Sequence, residues 1–130
     1  MADGTSDRRG FIRVPFNTEV AIDTANRLVR SNKGINISMS GLHLSSDEPG
    51  PAPDTPCRVI ITLQSSENRV LIEASGKIVR TEPGNVAVEF SELDLDSYHH
   101  LRQLILNNTD EPEKAEQEFD AHWGIRRPAL

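Results

Sequence analysis

Two short clusters of polar side chains carry the groups in this chain best suited to an anionic purine. The first is Arg8-Arg9-Gly10-Phe11-Ile12-Arg13, which sets three guanidinium groups on a short segment containing a glycine. Guanidinium forks match phosphate oxygens and the O6/N7 edge of guanine. The second is Asn36-Ile37-Ser38-Met39-Ser40-Gly41, with an amide, a hydroxyl and a glycine where a strand reads as ending in a tight turn. An amide and a hydroxyl complement the rest of a guanine edge. Together the clusters suggest a receptor for a guanine nucleotide with more than one phosphate. Each also has a local reading. The arginines form a solvated basic stretch near a chain end. Gly41 takes a positive φ, while Asn36 or Ser38 bonds nearby backbone.

Other chemistry-bearing residues form no constellation. His99 and His100 are adjacent on a helix and diverge, and the spacing of His43 and His122 resembles no zinc site. Cys57 has no context marking it as a nucleophile. Asp94 and Asp96 read as helix caps rather than a carboxylate pair. No Gly-rich phosphate loop of the Walker type occurs. A binding protein without metal, and not an enzyme, is the expectation.

Positioning these groups takes one domain plus tails, which 130 residues allow. The net charge is -6, but it is uneven. Residues 1–33 hold six basic against four acidic side chains, a net of +2, whereas residues 82–122 hold two against eleven, a net of -9. A small anion is drawn to the first region despite the acidic whole. A nucleic-acid polymer meets the acidic region, and 5% aromatics give it little to stack on. A single cysteine excludes an internal disulfide. The opening residues carry no signal-peptide pattern, and no apolar run approaches a membrane span.

The hydropathy pattern reads as short strands and then helices. Phe16, Val20 and Ile22 share one side of a first strand. Arg27–Arg30 and Gly34–Ile37 follow around Ser31-Asn32-Lys33, and Leu42-His43-Leu44 alternates after Gly41. Asp47–Pro56, with four prolines and a glycine, is a loop. Cys57–Leu63 and the long Arg69–Arg80 are strands, the latter with a bulge or bend at Gly76. Glu82-Pro83-Gly84-Asn85 is a hairpin turn into Val86–Phe90. Six or seven such strands suggest a small antiparallel barrel. Then Tyr98, Leu101, Leu104 and Ile105 repeat at helical spacing, with Asp96 able to cap and Asn107-Asn108 to terminate. Asp110 and Glu113 form a capping-box-like pair before a second helix, in which Ala115, Phe119 and Trp123 share a face.

Arg8-Arg9-x-x-x-Arg13, an alternating strand and Asn36-x-Ser38-x-x-Gly41 together resemble the PilZ domain, over roughly residues 7 to 107. Leu93-Asp94-Leu95-Asp96-Ser97 before a helix resembles the close of a stand-alone member. The resemblance implies a mainly β fold, a six- to seven-stranded antiparallel PilZ-type β-barrel with one or two C-terminal helices. Residues 1–7 would be a disordered N-terminus, 8–107 the PilZ domain, and 108–130 a second short helix and tail.

It further implies a non-enzymatic bacterial receptor for the second messenger cyclic di-GMP, in the cytoplasm, with the arginine loop closing over the ligand to present a new surface to a partner protein. Arg9 and Arg13 would be the motif arginines, and Asn36, Ser38 and Gly41 the turn positions. Little apolar surface anchors the arginine segment, so without ligand it should be mobile. An arginine at the position of Arg8 accompanies binding of two intercalated ligands per chain. Many members carry a stacking tryptophan where this chain has Lys77-Ile78-Val79-Arg80-Thr81, and Arg80 is the candidate additional contact. The partner would act in motility, chemotaxis or polysaccharide pathways; no nucleic-acid polymer, cofactor or membrane insertion is implied. The alternative is a PilZ-like protein-interaction scaffold that does not bind nucleotide.

Overall fold

A computed structural model describes residues 11–64 and 69–121. They form eight strands, β1 (Val14–Pro15), β2 (Glu19–Asp23), β3 (Leu28–Ser31), β4 (Lys33–Ser38), β5 (Gly41–Ser45), β6 (Pro56–Gln64), β7 (Arg69–Glu82) and β8 (Asn85–Leu93). Two helices follow, α1 (Leu95–Asn108) and α2 (Pro112–Ala121). All strands pair antiparallel in one sheet of order β1-β4-β5-β8-β7-β6-β2-β3.

That order forces the sheet to curl. β3 and β4 are separated by Asn32 alone, yet lie six places apart in the sheet. In a flat sheet six spacings of about 4.8 Å would put them about 29 Å apart, whereas the two steps from Ser31 to Lys33 reach only about 7 Å. The sheet therefore bends into a half-barrel whose two ends meet at this corner. Ser31 fastens it: its hydroxyl donates to the Ser45 carbonyl on β5 and accepts from the Lys33 N–H at 3.1 Å. The chain makes the same crossing between β1 and β2. Phe16 accordingly lies in the crossing rather than on β2, where alternation alone would put it.

Alternation fills the inside of the curl. Val20, Ile22, Ile37, Leu44, Ile61, Ile72 and Ile78 are fully buried. β-branched side chains suit this half-buried pleated surface. The β7–β8 register shifts at Ser75/Gly76 and again between Ile78 and Arg80. The first shift lies at Gly76, where a bulge or bend is expected, and its extra residue is Ser91 on the partner strand β8. The β7–β8 turn is Pro83-Gly84, with Gly84 at φ 87, the conformation glycine supplies after a proline in a type II turn.

The helices cap the curl. Tyr98, Leu101, Leu104 and Ile105 are buried on one face of α1, which packs on β7. The cap of α1 is Asp94 rather than Asp96: its Oδ1 accepts from the Ser97 N–H at 2.7 Å. Ser97 in turn ties the helix to the sheet, its Oγ accepting from the Glu73 N–H at 2.9 Å. Asn108 ends α1, as expected. α2 begins at Pro112, and Ala115 N–H bonds the Glu111 carbonyl at 3.1 Å. Glu111, not Asp110, thus holds the cap position, because a proline at the first helical residue fixes the frame. Ala115 and Phe119 are buried, and the Phe119 ring meets Tyr98 edge to face at 5.6 Å. Trp123 lies outside the described residues, as do residues 1–7.

Candidate functional site

The motif residues converge through strand register. Asn36 on β4 stands directly opposite His43 on β5, His43 opposite Ala87 on β8, and Ala87 opposite Arg80 on β7. Directly opposed residues project from the same face. Asn36, His43, Ala87 and Arg80 thus form one row across four strands on the outer face of the half-barrel. Met39-Ser40 makes the β4–β5 turn and pairs Ser38 with Gly41 at the row's edge. β1 pairs with β4, Pro15 opposite Asn36, and this brings in Arg13 just ahead of the strand. Arg13, Asn36, Ser38, Gly41, His43 and Arg80 all line one shallow concavity of about 30 Å³. A space of that size holds about one water, so a nucleotide would lie over this surface rather than inside it.

Each side chain has a local reason for its place. Ser38 fixes the turn: its Oγ accepts from the Ser40 N–H at 3.1 Å and lies 3.2 Å from the Ser40 hydroxyl. The local reading of Ser38 therefore holds alongside any role toward a ligand. Gly41 does not take a positive φ. It is needed for close approach, because a Cβ there would lie 2.2 Å from the Val88 carbonyl oxygen. Arg80 reaches the outer face through the bulge on β7 at Val79. Ile78 points into the core, so strict alternation would turn Arg80 inward with it. The extra residue at Val79 restores Arg80 to the outside.

The end of the arginine segment is anchored more firmly than its charges suggest. Phe11 and Ile12 are partly buried against the core, and the Ile12 N–H donates to Glu118 Oε1 on α2 at 2.9 Å. The expectation of a segment with little apolar anchorage does not hold at these two residues, because the core supplies an apolar wall and α2 a carboxylate. Arg8 and Arg9 lie outside the described residues.

His43 is a site residue that sequence reasoning missed, having weighed the histidines only as metal ligands. Leu42 and Leu44 are buried, so the alternation itself put His43 on the face of Gly41. Burial lowers its pKa, and the Arg80 and Arg13 guanidinium groups lower it further against a smaller opposing pull from Glu82. In imidazole NMR, His43 is expected to titrate below the ordinary histidine value, and Arg80→Ala to raise its midpoint. A midpoint unmoved by Arg80→Ala would separate the guanidinium from the ring.

Other features lead elsewhere. Cys57 is buried, and burial pushes its thiol up to about 11, which leaves little nucleophilic thiolate at neutral pH. A wider cleft of about 780 Å³ is lined by Asn17, Thr18, Glu19, Arg30, Ser31 and Asn32, one cation against one carboxylate. Among the described residues no cluster of three metal-ligating side chains occurs, and no helix is long and apolar enough to cross a membrane.

The curled antiparallel sheet thus carries two C-terminal helices and, on its outer face, a concavity lined by Arg13 and Arg80. The chain belongs to the PilZ domain family, whose pattern matches residues 7–107. No curated protein matches it. Among solved structures it is similar to the Bacillus subtilis inhibitor of motility MotI/DgrA, with 22% identity and a TM-score of 0.60 over 75% of this chain and 49% of that one. It is also similar to the PilZ domain of CeSA from a cellulose-synthesizing bacterium, with 18% identity and a TM-score of 0.54 over 74% of this chain and 96% of that one. This chain spans about half the length of the Bacillus protein. Likeness at these identities carries the fold. PilZ domains generally bind cyclic di-GMP or act as PilZ-like scaffolds, and are typically non-enzymatic.

Proposed function

We propose that this chain is a non-enzymatic receptor for cyclic di-GMP. The observation that carries the reading is the convergence of Arg13, Asn36, Ser38, Gly41 and Arg80 on one concavity. Arginines grip phosphate and guanine edges, the Asn36 amide meets a purine edge, and Gly41 lets the ligand approach the turn. Arg8 and Arg9 complete the set, and Arg8 leads the site to hold two intercalated ligands.

The arginine segment closes over the ligand, and the change passes to the C-terminal helices. The Ile12–Glu118 hydrogen bond favours this route, because it joins the segment to α2 directly. A partner protein in motility, chemotaxis or polysaccharide export reads the resulting surface. Motility has support in the likeness to an inhibitor of motility.

Calorimetric titration with cyclic di-GMP, against GTP as control, tests the reading. Micromolar or tighter binding at two ligands per chain is expected, falling to one in Arg8→Ala. Saturation of the unaltered chain at one ligand would remove Arg8 from its assigned role. The absence of heat, with unshifted NMR signals, would overturn the receptor reading in favour of a scaffold.

A further inference from the structure

The row across the sheet contains a gap. Ala87 is opposite His43 on one side and Arg80 on the other, so a single methyl separates an imidazole from a guanidinium. Two strand spacings put the flanking Cα atoms about 10 Å apart. A planar ring held between two others needs about 7 Å from wall to wall, two contacts of about 3.5 Å. The walls are therefore spaced widely enough for a ring to enter between their outer ends, above the concavity that holds about one water.

We propose that His43 and Arg80 are the two walls of a slot, floored by Ala87, that grips one purine base of the ligand by its faces. The inference rests on the cyclic di-GMP reading above and adds His43 and Ala87 to that site. Both walls suit the task, since imidazole and guanidinium planes stack on bases without regard to sequence. Burial and the neighbouring arginines disfavour the charged imidazole, which works against a third cation in the empty site.

Val79 is an independent mark of the slot. It is one of three large hydrophobic side chains left exposed among the described residues, at 37%, and it lines the same concavity beside Arg80. An apolar side chain set outward by a bulge next to two polar walls is what an overlying base would cover. The slot also answers a gap in the sequence: the long strand has no tryptophan, and two thinner walls do the work of one broad one.

Cyclic di-GMP titrations of the unaltered chain, His43→Ala, His43→Phe and Ala87→Leu decide the matter, with circular dichroism and melting checked for each. His43→Ala should weaken binding about tenfold, the scale of one lost stacking contact. His43→Phe should recover most of the loss, since a ring face suffices. Ala87→Leu, which fills the floor, should weaken binding at least as much as His43→Ala; should it fail to fold, the two His43 variants still decide. In the unaltered chain the His43 ring protons should move upfield on saturation, under the ring current of the base. Unchanged affinity in His43→Ala, a His43→Phe as weak as the alanine variant, or unmoved ring protons would each overturn the slot while leaving the receptor standing. No binding by the unaltered chain would overturn both.

Discussion

Arg13→Ala is expected to weaken cyclic di-GMP binding by about 10- to 100-fold while leaving the melting temperature nearly unchanged. A hydrogen bond from a charged donor contributes about 1.5–3 kcal/mol, and each 1.4 kcal/mol is about tenfold in affinity. The full amount applies here because the backbone on both sides of Arg13 is held. Ile12 bonds Glu118 on one side, and Val14 is buried at 1% exposure on the other. The guanidinium is delivered to the concavity with little ordering left to do on binding. Arg13 also lowers the pKa of His43, so its positive field reaches across the site. Arg13→Lys should lose less than the alanine variant but more than nothing, because it keeps the charge and gives up the fork. Arg27→Ala is the control: that side chain is bonded to the Pro49 carbonyl at 2.6 Å in a loop contact outside the concavity. Raising salt should narrow the gap between the unaltered chain and Arg13→Ala, since part of it is screened attraction. A change below twofold in Arg13→Ala would remove Arg13 from the site.

What was legible in the sequence is what depends on neighbours along the chain. Asn36, Ser38 and Gly41 sit on one hairpin, so their spacing alone brought them together. Most strand periods, the Pro83-Gly84 turn and the irregularity at Gly76 are likewise local signals and are found where they were read, Phe16 excepted. Illegible were the features set by register between distant strands. Arg80 and Ala87 meet on the outer face only because an extra residue on each strand, Ser91 on β8 and Val79 on β7, turns the two strands over together. Nothing in Lys77-Ile78-Val79-Arg80 distinguishes the second bulge from plain alternation, which would have buried Arg80. Ala87 drew no notice because a lone alanine in a strand has no chemistry of its own; its meaning comes from what stands on either side. The Ile12–Glu118 bond spans 106 residues and was beyond any local reading. Both Asp94 and Asp96 read as caps in the Leu-Asp repeat, and only the frame of the folded helix selects Asp94. Closure of the sheet at Asn32 follows from pairing order and could not be seen before the order was known.

Gly41→Ala should cost about 2–4 kcal/mol of stability and carry ligand binding down with it. The cause is contact, not backbone angle. Gly41 pairs with Glu89 at the start of β5, and a methyl there would lie 2.2 Å from the Val88 carbonyl oxygen and 3.2 Å from Glu89 Cα. Both are backbone atoms of a paired strand, so relief requires β5 and β8 to separate. Overpacking of this kind costs about 1–3 kcal/mol, and each ladder bond weakened adds about 1 kcal/mol. The β5–β8 seam joins β1-β4-β5 to the rest of the sheet, and it is also the middle of the Asn36–His43–Ala87–Arg80 row. Strain at Gly41 therefore reaches the site and the fold together, with a melting drop on the order of 10 °C. Gly84→Ala separates the two kinds of glycine. Gly84 has open space around it but sits at φ 87, where an L residue costs about 1–2 kcal/mol. It should melt a few degrees lower and bind with unaltered affinity, because the β7–β8 turn lies outside the concavity. If Gly41→Ala melts no lower than Gly84→Ala, the seam can give without cost, and the glycine of the turn motif is there for the ligand's approach rather than for the strand's.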